Sequence, residues 1–157
     1  MAGQSGAVQD DARGWSKLAK ELATLDRAHV VVGIMGPQAE AQHGNSGVTV
    51  AEVASYHEFG RGVPERSFLR DTIDMRRQQI DALLLRLTAG VAMGRVSAGQ
   101  ALELIGESTV GMIIERIVDH IPPPNAPSTI KRKGSSTPLI DSAQMKGAIS
   151  YKVTVGG

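Results

Sequence analysis

Two segments near opposite ends of the chain have the residue pattern of β-strands, and most of the sequence between them has helical periodicity. Residues 29–35 (HVVVGIM) are apolar and rich in β-branched side chains, and they end before Gly36 and Pro37, which is typical of a buried strand. Residues 149–155 (ISYKVTV) alternate apolar and polar side chains, as a half-buried strand does. Because each strand needs a partner, we expect one small sheet packed against helices, an α+β fold.

Local capping chemistry marks the start of two helices. Thr49 with Glu52 fits a capping box, and the helix that it opens should stop at Gly60, where a glycine favours a left-handed C-terminal residue. Ser97 with Gln100 fits a second capping box, and its helix has to end before the triple proline that follows.

The longest periodic segment lies at 67–93, and its apolar spacing predicts one long helix. A short break at 94–96 separates it from the next helix, which favours an antiparallel pair. Residues 11–26 predict a shorter helix with one apolar stripe, formed by Trp15, Leu18, Leu22 and Leu25. The positions expected to face the core in the segment 67–93 are Leu69, Ile73, Ile80, Leu83, Leu84, Leu87 and Val91. The expected architecture is a small sheet packed against a long antiparallel helical hairpin plus short helices.

The 157 residues fit one domain, with 1–12 as a flexible N-terminal tail and 13–157 as a single α+β domain. Cysteine is absent, which excludes a disulfide scaffold and thiol catalysis. The 17 basic and 16 acidic residues nearly cancel, so total charge gives no argument for nucleic-acid binding. No apolar run is long enough for a bilayer or a signal peptide, so we expect no membrane contact and synthesis in the cytoplasm.

Sequence motifs for catalysis or metal binding are weak. His57 and Glu58 begin an H-E-x-x pattern, but Arg61 stands where the second histidine of a metalloprotease would be, and Gly60 ends the helix. We therefore expect no catalytic residue, no metal, no cofactor and no enzymatic activity. The small residues around Gly106 are expected to let two helices approach closely.

Three adjacent basic residues, Lys131, Arg132 and Lys133, lie in a Pro-, Ser- and Thr-rich segment that spans 122–139. The simplest interpretation is a solvated loop. A contact with an acidic partner surface or a DNA backbone is the other, and three clustered charges would make it salt-dependent. A small DNA-binding protein that uses this basic segment is therefore the alternative function.

Two blocks of sequence resemble a bacteriophage family. Residues 54–60 (ASYHEFG) followed by 63–70 (VPERSFLR) are similar to the EFG…IPxRxFLR signature of the virion-morphogenesis or tail-completion proteins, which join heads to tails. Residues 124–130 (PNAPSTI), the pair KG and the segment PLID at 138–141 resemble the C-terminal pattern of the same family, which ends in a closing strand. The chain departs from that pattern at 142–143, where Ser-Ala replaces the usual Thr-Gly, and at Met145, where leucine is usual.

This resemblance implies a non-enzymatic structural protein of the virion that completes or terminates the tail and joins it to the head connector. It implies a ring of six copies around the DNA channel, with the tail tube protein and the connector or neck proteins as partners and packaged DNA nearby. A tail terminator and a neck adaptor both remain open. The loops 36–47 and 122–139 and the N-terminal tail are expected to make the contacts between subunits and rings.

The candidate interaction residues come from these blocks and from the basic segment. Phe59 and Phe68 are expected to be aromatic packing anchors. Arg66 is expected to pair with Glu58 or with a neighbouring subunit, or else to be a solvated residue at a helix start. The complete set is Phe59, Arg66, Phe68, Asn125, Lys131, Arg132 and Lys133.

Overall fold

The protein is described from a computed structural model, which covers residues 12–45, 47–119, 121–124, 127–133 and 144–156. In chain order its elements are α1 (Ala12–Arg27), β1 (Ala28–Ile34), α2 (Pro37–Glu40), α3 (Val50–Phe59), α4 (Arg70–Met75), α5 (Arg77–Ala92), α6 (Ala98–Val118), α7 (Pro127–Lys133), α8 (Gln144–Gly147) and β2 (Ile149–Val155). The predicted N-terminal tail lies outside the described residues except for Ala12, which begins α1.

The two predicted strands pair with each other. β1 and β2 run antiparallel, in a register that sets Ala28 opposite Val155 and Ile34 opposite Ile149 without a bulge. Helix α6 contacts both strands. The predicted α+β class and the pairing of the two distant strands are therefore confirmed.

The main core joins residues from distant parts of the sequence. Helix α6 supplies its centre, α3 and the segment before α4 supply one side, and α8 with the start of β2 supplies another. Its buried members are Val50, Ala54, Phe68, Ile113, Ile117, Ile121, Met145, Ala148 and Ile149. Burial of these side chains is the main favourable contribution to folding.

Both predicted capping boxes are present. The Glu52 amide donates to the Thr49 hydroxyl at 3.2 Å, and the Thr49 amide donates back to the Glu52 carboxylate at 2.7 Å. Helix α3 ends as expected at Gly60, which has a left-handed φ of 66°. Ser97 and Gln100 make the same reciprocal pair at the start of α6.

The single helix expected at 67–93 is wrong. The chain enters α4 only at Arg70, and the helix breaks at Arg76, where φ is −100° and ψ is 11°. Both helices contact α6. Leu87 and Val91 of α5 form a second core cluster with Ala101 of α6. The antiparallel hairpin of two long helices remains a prediction.

Helix α1 forms as predicted, but its apolar stripe is not all buried. Trp15 is 71% exposed and Leu22 is 41% exposed, whereas Leu25 packs against the second core cluster. The predicted helix with its apolar stripe is therefore present, and only part of the stripe is covered by the described residues.

The expected exposed loop at 36–47 contains a helical turn. Helix α2 begins with Pro37 at its first position and buries Ala39. Gln42 then forms an isolated antiparallel bridge with Thr49.

Within the residues that the structure describes, every helix is too short or too polar to cross a lipid bilayer.

Candidate functional site

The carboxylate of Glu58, in the last turn of α3, covers the N-terminal end of α4. One oxygen accepts from the amides of Phe68 at 2.9 Å and Leu69 at 3.0 Å, and the other from the Ser67 hydroxyl at 2.7 Å. The second oxygen also accepts from the amide of Arg70 at 3.1 Å and from its Nε at 3.2 Å. We call this arrangement of Glu58, Ser67, Phe68, Leu69 and Arg70 the Glu58 cap.

The hydrogen bonds of the Glu58 cap hold the carboxylate in its charged form. Burial raises the pKa of Glu58, but the hydrogen bonds from Leu69, Ser67 and Arg70 outweigh burial, so the pKa lies below its ordinary value. Both carboxylate oxygens accept hydrogen bonds from the segment 67–70. The charged carboxylate therefore holds the start of α4 in place.

Phe59 is not the packing anchor that the sequence predicts. Its ring is 54% exposed, and the guanidinium groups of Arg61 and Arg70 lie 5.6 Å and 5.3 Å from the ring centroid. These distances suit cation–π contacts. The preceding residue, Glu58, takes the buried position instead, so one step around the helix turns the aromatic ring to the surface.

Arg66 does not pair with Glu58. It is only 4% exposed, and its Nε donates to the carbonyl of Pro123 at 2.9 Å, with a second donation to Pro124 at 3.4 Å. Burial lowers the pKa of Arg66, although an arginine stays charged at neutral pH. The amides of 68–70 already occupy the Glu58 carboxylate, which leaves Arg66 to hold the segment 121–124. The alternative of a solvated arginine is also wrong.

Phe68 is confirmed as a packing anchor, since it is fully buried in the main core. Phe68 and Arg66 of one short segment therefore have different partners: the ring enters the core and the guanidinium contacts the proline carbonyls.

The basic segment lies apart from the Glu58 cap in sequence and forms helix α7. Lys131 is exposed there. Arg132 and Lys133 belong to the same helix, but their side chains, like the whole of Asn125, lie outside the described residues. The structure therefore does not test whether these residues act together.

A contact that the sequence did not predict joins α6 to β2. The ring of Tyr151 lies directly on Gly106, and its hydroxyl donates to the carboxylate of Glu103. The hydrogen bond to Glu103 is the main reason that the pKa of Tyr151 rises to about 12. The small residue at 106 makes room for a strand's side chain, so the expected role in helix–helix approach is wrong at this position.

The described part of the chain contains no cluster of three or more His, Asp or Glu side chains with the geometry to hold a metal ion. Comparisons with protein families, with curated proteins and with solved structures gave no match to this chain.

The sequence analysis considered Glu58 as part of a metal motif and as a partner for Arg66, and it missed the role of this carboxylate as the cap of α4. The sequence does contain a signal for this role. A carboxylate at the end of one helix is followed, after a turn, by a Ser-Phe-Leu-Arg segment that begins the next helix. The first amides of a helix have no partner within the helix, so a nearby carboxylate can accept their hydrogen bonds.

Proposed function

We propose that this chain is a phage structural protein that completes or terminates the tail and joins it to the head connector, acting as a ring around the DNA channel. The proposal rests on the resemblance of residues 54–70 and 124–153 to the tail-completion family. Its partners are further copies of the chain, the tail tube protein and the connector or neck proteins.

One structural observation supports treating those two sequence blocks as a single unit. Arg66 of the first block donates to the carbonyls of Pro123 and Pro124, at the start of the second block. Phe68 of the first block and Met145 of the second share the main core. Residues far apart in the sequence that resemble one family are therefore joined in space, as the parts of one family fold would be.

The chemistry of the Glu58 cap fits a structural role better than a catalytic one. Its carboxylate is charged, buried and saturated with hydrogen bonds. What this part of the fold presents outward is the Phe59 ring with the Arg61 and Arg70 guanidinium groups. Exposed aromatic and arginine side chains are the residue types most enriched at protein interfaces, so this surface is suited to contact a neighbouring subunit.

The experiment is electron microscopy of a lysate from a phage that carries a null allele of this gene. The proposal predicts filled heads beside unattached tails, some of irregular length. Intact tailed particles would contradict it.

A complementing copy with Phe59→Ala tests the exposed surface in the same lysate, and Met75→Ala is its matched control. Met75 is also exposed, at 69%, and lies at the end of α4. We expect Met75→Ala to restore joined particles and Phe59→Ala to restore fewer. Equal restoration by both variants would remove the Phe59 surface from the proposal.

A further inference from the structure

The backbone of β1 presents hydrogen-bonding groups along the edge that faces away from β2. At one end of the paired strands the Met35 amide donates to the carbonyl of Ala148, and at the other end the Gly156 amide donates to the carbonyl of Arg27. Because antiparallel hydrogen-bonded pairs alternate along a strand, odd-numbered residues of β1 bond to β2 throughout the regular register. The amides and carbonyls of Ala28, Val30, Val32 and Ile34 therefore point the other way.

This outer edge of β1 is open in the described part of the chain, where the sheet has two strands only. An unpaired edge of seven residues is about 23 Å long and offers a template for another strand. Proteins usually blunt such edges with charge, proline or a bulge. β1 (AHVVVGI) contains no Lys, Arg, Asp, Glu or proline, and it pairs with β2 without a bulge.

An apolar groove runs beside this edge. Two adjoining depressions of about 560 Å³ and 400 Å³ share Val32 and Ile73, so together they follow the strand. Helix α6 forms the floor and helices α4 and α5 form the far wall. The apolar side chains of floor and wall include Ile73, Ile80, Leu84, Leu102, Ile105 and Ile113.

The geometry points to this groove as a docking site for one extended segment of a partner protein, which adds to β1 as a third strand. The added strand would satisfy the outward groups of Val30 and Val32 and set every second side chain against α6. Backbone pairing supplies the affinity in this mode of recognition, and the alternate side chains supply the specificity.

Charge and shape together define the occupant. The charged side chains along the groove are Arg70, Arg77, Asp74 and Asp81, which cancel, so the site suits a segment without net charge and with apolar side chains at alternate positions. A strand of a second copy is less suitable. In that copy β1 and β2 are paired with each other, and α6 covers one face of the pair. If one of these strands entered the groove, the paired strand and α6 of the second copy would lie where α5 of the first copy forms the far wall.

The chain's own undescribed segments also lack the required pattern. Residues 1–11 (MAGQSGAVQDD) are mostly polar, and residues 134–143 (GSSTPLIDSA) place Leu139 beside Ile140 and include Pro138, which has no amide to donate. We therefore assign the strand to a partner protein. This inference does not depend on the proposed role in tail completion.

Amide hydrogen exchange of the full-length chain alone tests whether the edge is open. We expect the amides of Val30 and Val32 to exchange at least about a hundredfold faster than those of Val31 and Gly33, which donate to β2. Equal protection of the two sets would show that the chain or a second copy already covers the edge. Sedimentation would tell these two apart, and either result would overturn the proposal.

A peptide probe tests the docking itself. The probe is an acetylated and amidated peptide with the sequence ISYKVTV, which β2 already uses to pair with the other edge of β1. Its single charge, on the lysine, lies on the face of the strand opposite its apolar side chains and so points away from the groove. Its binding at about 1 mM should protect the amides of Val30 and Val32 and shift their resonances. When the peptide docks antiparallel to β1 with its apolar side chains toward α6, the amides of its tyrosine and of its first valine donate hydrogen bonds to β1. Methylation of those two nitrogens should abolish the shifts, whereas methylation of the lysine and threonine nitrogens should preserve them.

Leu84→Asp and Leu85→Asp form the matched pair of protein variants. Leu84 lines the groove and is 39% exposed, whereas Leu85 is its neighbour in α5, is 73% exposed and does not line the groove. We expect Leu84→Asp to weaken peptide binding at least about tenfold and Leu85→Asp to leave it unchanged. Absence of shifts at Val30 and Val32, or equal effects of the two variants, would overturn the proposal. Peptide binding and particle joining are measured separately, so one can fail without the other.

Discussion

The carboxylate of Glu58 lies 3.2 Å from the Nε of Arg70, and the same carboxylate also receives the backbone amide of Arg70 at 3.1 Å. A side chain at the end of α3 thus fixes where α4 begins. Because α3 ends at Gly60 in a left-handed conformation, the chain reverses direction within a few residues and returns the amides of 68–70 to this carboxylate.

Glu58→Gln should lower the free energy of unfolding by about 2–3 kcal/mol, because a neutral amide gives up charge-assisted hydrogen bonds and directs its own NH₂ at backbone donors. Urea unfolding measures this change. Glu65→Gln is the control, since Glu65 also contacts Arg70 but is 57% exposed. We expect this control to change stability by less than about 0.5 kcal/mol, and a similar loss in both variants would contradict a special role for Glu58.

The stabilisation by Glu58 should depend on pH. The folded protein lowers the pKa of Glu58, so its contribution is complete above the pKa of the unfolded chain, about 4.3, and is lost as pH falls through the folded value. The difference in unfolding free energy between wild type and Glu58→Gln should therefore shrink below about pH 4. Urea titrations at several pH values measure it, and a difference that stays constant down to about pH 2 would refute the assignment.

Gly106→Ala should destabilise the protein although alanine favours helices. A methyl group at position 106 would overlap three ring carbons of Tyr151, and the strain of about 1–3 kcal/mol exceeds a helix-propensity gain of about 1 kcal/mol. Gly111→Ala is the matched control in the same helix, because no atom lies within 4 Å of the added carbon. We expect a gain of about 0.5–1 kcal/mol there. Thermal unfolding of both variants should move the midpoint in opposite directions, and a gain in both would be inconsistent with the Tyr151 contact.

Tyr151 should ionise at about 12, chiefly because its hydroxyl donates to Glu103. The chain has two tyrosines, so the measurement uses a Tyr56→Phe background in which Tyr151 is the only phenol. Phenolate absorbance as a function of pH reports the pKa. Replacing Glu103 with glutamine should bring the midpoint toward about 10, the ordinary value, and an unchanged midpoint would mean that the carboxylate is not responsible.

Arg66→Ala should loosen the segment 121–124 from the rest of the fold. The variant leaves the carbonyls of Pro123 and Pro124 without their donor, and we expect a loss of about 2 kcal/mol in urea unfolding. Arg66→Lys should lose less, because an ammonium group can still reach one carbonyl. Arg61→Ala, at an exposed position, is the control and should have little effect. Equal stability of Arg66→Ala and Arg61→Ala would show that the proline carbonyls contribute nothing.

Those parts of the fold that depend on local chemistry were predictable from the sequence. The capping boxes at Thr49 and Ser97 need only residues within one turn, and the strand patterns need only alternation. The break at Arg76 carries no glycine or proline, and no local rule marks it. At such a position tertiary contacts, and not local propensity, decide whether a helix continues.

The candidate site was predictable in part for the same reason. Burial was expected for both Phe59 and Phe68 because large aromatic rings favour it, and the expectation holds only for Phe68. The partner of Arg66 could not be identified from the sequence, because the choice between Glu58 and the carbonyl of Pro123 depends on a contact across more than fifty positions of sequence. The exposure of Trp15 likewise depends on what covers α1, and periodicity identifies only the apolar face.

The most direct test of the proposed role is in vitro complementation of a lysate that lacks this protein and contains separate heads and tails. Purified full-length chain would be added, and joined particles would be counted by electron microscopy alongside infectious titre. The proposal predicts that both rise with added protein and that heat-denatured protein has no effect. Heads and tails that remain separate after addition of the folded protein, or that join without it, would contradict the proposal.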